Sequence, residues 1–277
     1  MFASAPTATL TPWRPTPAIW TALAVHVIAL ALVLVVPARW PYALALIIAA
    51  HLALIGAGLW PRSRWLGPNL SRLPAAAVAR GEVVLSFDDG PDPAVTPRVQ
   101  VLLDQAGVKA SFFCVGDRAA AAPDCVQALV RSGHDVENHS DRHSNFFAFS
   151  GYGAFRAELM RAQARLQHLS GRAPRFFRAP MGFRNPLLAP VLAVLGLQYV
   201  SWTRRGFDAV DGDAEAVFRR LTRNLGAGDI LLLHDGHAAR TADGEPVVLA
   251  VLPRLLSLLR SRGLRPVSLT QALAPQV

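Results

Sequence analysis

Leu85-Ser86-Phe87-Asp88-Asp89-Gly90-Pro91 decides how this chain of 277 residues is read. The apolar run over 83–87 has the length of a buried strand, and Asp88-Asp89-Gly90-Pro91 ends it in a tight turn carrying two adjacent carboxylates. An ordinary turn with two solvated acids looks the same in isolation, so the meaning of this one depends on what else reaches it.

From residue 82 onward, short apolar runs alternate with helical stretches. Strands are expected near 83–87, 110–115, 135–137, 176–178, 198–202, 230–234 and 265–267. Helices are expected over 96–106, 117–131, 152–169, 186–195, 214–225 and 247–260. Such alternation implies parallel strands joined by right-handed crossovers, and about seven units predict an α/β fold, a distorted (β/α) barrel. In a parallel barrel the carboxyl ends of the strands share one rim. Asp88 and Asp89 follow the first strand, His139 and His143 the third, Arg178 closes the fourth, Asp208 follows the fifth and His234 closes the sixth. Residues far apart in sequence thus converge on one pocket.

The first 81 residues are different. They contain no Asp, Glu or Lys and six arginines: Arg14, Arg39, Arg62, Arg64, Arg72 and Arg80. The formal charge of +9 therefore resides mainly there; the remainder carries 22 basic residues (28 less the six) against 19 acidic ones. That distribution gives no support to a nucleic-acid partner. A hydrophobic fraction of 52% with two cysteines excludes a disordered or disulfide-stapled chain.

Residues 18–36 and 42–60 are uncharged runs separated by Pro37-Ala38-Arg39-Trp40-Pro41. Each is long enough to cross a hydrocarbon core of about 30 Å, and Trp20, Trp40, Tyr42 and Trp60 stand near the run ends, where aromatic rings favour the interface. The runs predict a two-pass transmembrane hairpin preceding the barrel. No basic cluster precedes the first run, which argues against a cleaved signal, and neither run has the polar face of a soluble helical hairpin. Arg14, Arg62, Arg64, Arg72 and Arg80 lie on the side of the hairpin's ends, against Arg39 in its turn, so positive-inside logic favours a cytoplasmic soluble domain at the cell membrane. The expected organisation is a tail over 1–17, the hairpin over 18–60, a Pro/Gly-marked linker over 61–80 and one domain over 81–277. His26 and His51 are symmetric about the turn. They are predicted to meet at the helix contact with rings about 4–6 Å apart, sharing a direct or water-mediated hydrogen bond.

His139-Ser140-Asp141-Arg142-His143 sets two imidazoles four positions apart. With one carboxylate they supply two nitrogens and an oxygen and leave a position open, the donor set of a catalytic metal site. Ser86-Phe87-Asp88-Asp89-Gly90-Pro91, His139-Ser140-Asp141-Arg142-His143, Arg178-Ala179-Pro180 and Leu231-Leu232-Leu233-His234-Asp235 stand in the order and approximate spacing of the polysaccharide deacetylase family, the NodB homology domain of carbohydrate esterase family 4. The chain resembles that family over about 81–273, including Ser111-Phe112-Phe113 and Gly133-His134.

The resemblance implies metal-dependent removal of an N-acyl group, usually N-acetyl, from an amino sugar. It implies that Asp89, His139 and His143 hold one divalent ion, zinc foremost, with cobalt, nickel and manganese as alternatives. Asp88 is then the general base, Arg178 orients Asp88, His234 protonates the departing amine and Asp208 pairs with His234. Trp202 and Leu232 match residues that wall the substrate and the acyl methyl. Two positions depart from the family. Met181 replaces an aromatic, although an oxyanion contact there comes from the backbone N–H, and Ala209 replaces a common Trp; both concern the substrate groove. The expected partners are the membrane and an N-acylated amino sugar of a polymer or lipid-linked glycan. Three other readings are a catalytically silent carbohydrate-binding protein of this fold, a deformylase of a lipid-linked amino sugar, and another metal hydrolase such as a phosphoesterase. The intact acid and histidine set opposes the first, and the lack of ligands for a second metal opposes the last. His134 is expected to pack or cap, His168 to meet solvent, His237 to border the groove, and Cys114 to be buried rather than bridged to Cys125.

Overall fold

The computed structural model describes residues 13–275, so residues 1–12 of the expected tail over 1–17 and the last two positions lie outside the described residues. Helix α1 (Pro17–Val35) starts at Thr16, whose hydroxyl accepts from Ile19 N at 3.3 Å, with Pro17 in the first turn, where its missing N–H costs nothing. A 3-10 turn (Pro37–Arg39) reverses the chain into α2 (Trp40–Leu59). Ala22, Ala29, Ala43 and Ala57 are buried, the small residues that let two apolar helices approach closely. The other faces are open, with Val27 68% and Leu34 72% exposed, so this is not the core of a soluble bundle. By length and composition both helices are able to cross a membrane.

His26 and His51 meet edge-on with ring centroids 5.1 Å apart, within the expected range. No direct hydrogen bond joins the two rings; each Nδ1 bonds within its own helix. His26 Nδ1 donates to Ala22 O at 2.6 Å and His51 Nδ1 to Ile47 O at 2.9 Å. The i−4 carbonyl is nearer than the opposite ring, and a carbonyl only accepts, so each ring carries its proton on Nδ1.

The soluble part is an α/β distorted barrel of parallel strands: β1 (Glu82–Asp88), β2 (Ser111–Cys114), β3 (Asp135–Asn138), β4 (Phe176–Phe177), β5 (Gln198–Tyr199), β6 (Arg204–Arg205), β7 (Ile230–His234) and β8 (Arg265–Val267). The spatial path is β5-β4-β3-β2-β1-β7-β6, seven strands, with β8 beside the first half of β1. Alternation along β1 sends Val83, Leu85 and Phe87 outward into a core with Val99, Leu103 and Leu252 of the surrounding helices, and Val84 inward with Phe113 and Ile230.

Three features depart from expectation. Strand β6 is two arginines with no apolar period to mark it; it exists because its backbone pairs with β7, Arg205 beside Leu232. The helix expected over 117–131 is two, Gly116–Ala121 and Pro123–Arg131, because Pro123 cannot donate into the preceding turn. The stretch expected as a linker over 61–80 is instead part of the barrel. Leu70 N donates to Tyr199 O and Ser201 N to Leu70 O, both at 3.0 Å, while Leu73 N donates to Gly228 O at 2.9 Å, so this segment bridges the end of β5 and the turn that enters β7. Leu66, Leu73 and Ala77 are buried in doing so.

The hairpin is seated on the barrel's carboxyl-end rim. Arg184 N donates to Gly58 O at 3.3 Å, and a Cβ at position 58 would lie 2.1 Å from Arg184 O, so only glycine permits the approach.

Candidate active site

Parallel pairing places Asp88, the last residue of β1, beside His234, the last residue of β7. Asp89 then turns into the left-handed region at φ 70°, and Ser140, His143, Met181 and Phe207 share that region at φ 66°, 52°, 56° and 64°. Non-glycine residues rarely adopt it, and five on one rim mark a backbone held in place to aim side chains.

The Asp89 Oδ1 atom lies 3.1 Å from His139 Nε2 and 3.0 Å from His143 Nε2, and the three donor atoms are all within 4.8 Å of one another. His139 Nδ1 donates to Arg178 O at 2.9 Å, so its Nε2 presents a lone pair to the cluster. Donors about 2.1 Å from a common centre stand about 3.0–3.4 Å apart at angles of 90–109°, so this set fits a divalent ion. Burial alone would raise the Asp89 carboxyl; the facing His139 and His143 rings, when protonated in the absence of an ion, outweigh it by hydrogen bond and charge and hold the group well below the usual carboxylate range. Asp89 therefore offers an anionic oxygen at neutral pH.

Asp88 turns its other neighbour toward the barrel axis. Arg178, fully buried, bonds Asp88 Oδ1 through Nη1 at 2.6 Å and Ser86 Oγ at 2.9 Å, while Nη2 reaches Ser201 O at 3.2 Å. Its guanidinium lies over Phe113 at 4.1 Å and faces Trp202 at 5.8 Å. A guanidinium so fixed has one orientation to offer Asp88. Asp88 Oδ2 remains 3.9 Å from His139 Nε2, on the metal side.

Across the strand pair, Asp208 accepts twice from one residue: His234 Nδ1 at 2.9 Å and His234 N at 2.7 Å. Burial by itself would lower the His234 imidazole, but the charge and hydrogen bond of Asp208, with Asp88 and Asp89 beyond, raise it to about 9. The ring is thus a proton donor at neutral pH. Leu232 is buried one turn of the pleat below His234, and Trp202 is nearly buried beside Arg178. Met181 stands on the rim in the turn Pro180–Gly182, where a Cβ on Gly182 would come within 2.4 Å of the Trp202 ring. All ten singled-out residues therefore border one rim or the barrel mouth beneath it.

The remaining histidines lie elsewhere. His134 is buried, accepts from Ala110 N at 3.2 Å and meets Phe112 edge-on; burial lowers its pKa to about 4. His168 is exposed, His237 contacts Arg118, and Cys114 and Cys125 are free. Sequence reasoning missed Ser86 and Ser201, which fix Arg178, and Asp235. Asp235 is fully buried, accepts from Thr96 Oγ1 at 2.5 Å, and is raised by that burial to about 7. Its place directly after His234 is the one sequence signal, and a turn acid has the same appearance.

Residues 76–200 match the family described as Polysaccharide deacetylase. A peptidoglycan-N-acetylglucosamine deacetylase of Bacillus cereus is 30% identical over 193 residues, 69% of this chain and 87% of that protein. A chitooligosaccharide deacetylase of Sinorhizobium fredii is 31% identical over 199 residues, 70% of this chain and 93% of the other. Among solved structures, a family 4 acetyl xylan esterase from Clostridium thermocellum in complex with a cobalt ion is 30% identical, with a TM-score of 0.61 over 69% of this chain and 89% of that one. The chain belongs to the polysaccharide deacetylase family. It is a carbohydrate N-deacetylase of carbohydrate esterase family 4, with a metal-binding Asp-His-His triad.

Proposed function

We propose that this chain is a membrane-anchored enzyme that removes the N-acetyl group from an amino sugar, N-acetylglucosamine foremost, in a glycan. The observation that carries the reading is the pairing across β1 and β7: an acid fixed by Arg178 and an imidazolium fixed by Asp208 flank one Asp-His-His cluster. Asp89, His139 and His143 would hold the divalent ion, zinc first among the candidates. The chemistry such an ion supplies when bound is Lewis acidity, which polarises the acyl carbonyl and makes water more acidic.

The chain's own groups do the proton work. Asp88 accepts a proton from water as the water oxygen bonds to the acyl carbon, and Arg178 keeps that carboxylate aimed. The Met181 backbone N–H is the donor to the developing oxyanion in this reading. His234 gives a proton to the nitrogen as the C–N bond breaks, so the products are acetate and a free amine. The amide nitrogen leaves only with that proton, which is why an imidazole raised to about 9 suits the role. Leu232 and Trp202 wall the acyl group and the sugar.

In this reading residues 18–60 are the two-pass anchor, 81–277 form the catalytic domain with 61–80 as its barrel seam, and the arginines beyond the hairpin's ends keep that domain in the cytoplasm. The test is acetate release by the full-length chain from chitooligosaccharides, peptidoglycan fragments and lipid-linked amino sugars. Asp88→Asn should lose at least about a thousandfold in kcat with metal content unchanged. Turnover retained by Asp88→Asn on the best substrate would remove Asp88 as the base.

A further inference from the structure

Between the end of the hairpin and the catalytic rim lies a cavity of about 290 Å³ whose lining includes five arginines, Arg62, Arg204, Arg205, Arg220 and Arg223, and no acid. Two of the five are already committed. Arg204 bonds the buried Asp229 at 3.0 Å, and Arg220 bonds Asp211 at 2.7 Å. Arg62, Arg205 and Arg223 form no ion pair among the described residues. Arg205 is the most telling, because its Nε is buried without any hydrogen-bond partner. Its guanidinium is held over Phe207 at 4.8 Å and Trp202 at 5.5 Å, so it does not swing away to find one. Three uncommitted guanidinium groups in one small cavity call for an anion with several acceptor oxygens, and the planar fork matches phosphate.

The neighbours of this cavity say what the anion is attached to. On one side Trp60 and Arg62 are shared with a second cavity of about 560 Å³, which runs up α2 along Ala53, Gly56 and Ala57 and is closed by Trp65. Along the helix that groove is apolar, with Arg62, Ser63 and Arg64 lining its end, and α2, like α1, is long and apolar enough for a membrane. On the other side Trp202 lies between the two arginines, 5.5 Å from Arg205 and 5.8 Å from Arg178, and Arg178 holds Asp88. The rim itself carries exposed aromatic rings, Phe146 at 75% and Phe149 at 84%, as a surface set against a membrane interface does. Trp202 thus walls the arginine cavity and, inside the barrel, packs beside the guanidinium that holds Asp88.

Resting on the deacetylase reading of the rim, we infer that the substrate is an amino sugar joined through a phosphate or diphosphate to an apolar lipid chain. The phosphate sits on Arg62, Arg205 and Arg223, the lipid lies along α2, and the sugar extends over the rim toward the metal triad. The reaction is unchanged: water cleaves the amide, and the phosphate ester stays intact.

The test uses the full-length chain in detergent micelles and three probes, farnesyl diphosphate, inorganic diphosphate and farnesol, with binding followed by calorimetry. Farnesyl diphosphate should bind at least about tenfold more tightly than either fragment. Arg205→Gln with Arg223→Gln should remove at least about tenfold of that affinity, whereas Arg98→Gln, at a surface pair with Glu245, should not. Arg205→Lys, which keeps the charge and loses the fork, should fall between. Unfolding temperatures check that the variants fold. Inorganic diphosphate binding as tightly as the lipid form would overturn the lipid attachment and point to a soluble phosphate ester. Affinity indifferent to the two arginines would overturn the subsite.

A second arm separates this inference from the reading beneath it. Acetate release is compared between N-acetylglucosamine linked through diphosphate to farnesol and a neutral chitooligosaccharide, and kcat/KM should favour the first by at least about tenfold. The preference should collapse toward parity in the double variant. Arginine-dependent binding with no acetate from any substrate would leave the subsite standing and sink the deacetylase reading. Equal turnover of both substrates would sink the subsite alone.

Discussion

Replacing Asp208 by Asn tests the acid half of the site, because it removes a charge and keeps a shape. Both Asp208 oxygens are used, one by His234 Nδ1 at 2.9 Å and one by His234 N at 2.7 Å. The amide keeps one acceptor and presents an NH2 to the other donor, a buried mismatch costing about 1–3 kcal/mol. The larger effect is on the imidazole. His234 stands at about 9 against an ordinary 6.5, which at about 1.4 kcal/mol per tenfold corresponds to about 3 kcal/mol in favour of the imidazolium. Burial opposes that charge and Asp208 is the leading counterweight, so in Asp208→Asn the His234 pKa should fall below its ordinary value. At pH 7.5 the protonated share then drops from nearly all to less than about a tenth.

The assay is the pH profile of kcat/KM for acetate release, with the imidazole titration followed by NMR. The wild-type alkaline limb should lie near pH 9. In the variant it should move below about pH 6.5, with at least about tenfold less activity at pH 7.5 and recovery on acidification. Stability carries the same sign. A raised folded pKa contributes stability that is fully present below about pH 6.5 and is lost as pH rises through about 9, and the variant should lack that slope. An alkaline limb left in place, with activity lower at every pH, would refute the pairing as the source of the donor.

Arg178→Met should destabilise the fold by about 3–5 kcal/mol, since it leaves the buried Asp88 carboxyl without its partner; thermal unfolding of the detergent-solubilised chain reads this, and an unchanged Tm would show that Asp88 finds other solvation. Chelation should abolish acetate release, and zinc, cobalt, nickel or manganese should restore it with about one ion per chain by elemental analysis, while His143→Ala should bind no ion at the same concentrations. Gly58→Val would press a side chain onto Arg184 O, so the hairpin should lift from the rim, with Tm lower by about 3–8 °C and a new protease cut after Arg62 or Arg64; wild-type resistance in that variant would show that the contact holds nothing.

Much of this protein is legible in one dimension because its chemistry is carried by short local patterns. An apolar run ending in Asp88-Asp89 dictates a strand with carboxylates at its mouth, and the His139 to His143 spacing holds without knowledge of any distant contact. The parallel alternation then requires those mouths to share a rim. The hairpin follows from length and apolarity alone, and the symmetry of His26 and His51 about the turn sufficed to bring the rings to 5.1 Å.

Tertiary structure decided what depends on a partner distant in sequence. Arg204 and Arg205 form a strand only because β7 supplies the backbone groups opposite, and the segment over 61–80 joins the barrel because N–H and C=O groups at the end of β5 and before β7 are there to satisfy. The bonding of His26 and His51 was settled by which acceptor lay nearer, their own i−4 carbonyls. Asp235 reads as a turn acid until the fold buries it beside Thr96, and Arg62, Arg205 and Arg223 are scattered cations until three segments close around them. A sequence states which groups a chain carries and how the backbone repeats. Burial and the pairing of charges are properties of neighbours, and neighbours come into being only when the chain closes on itself.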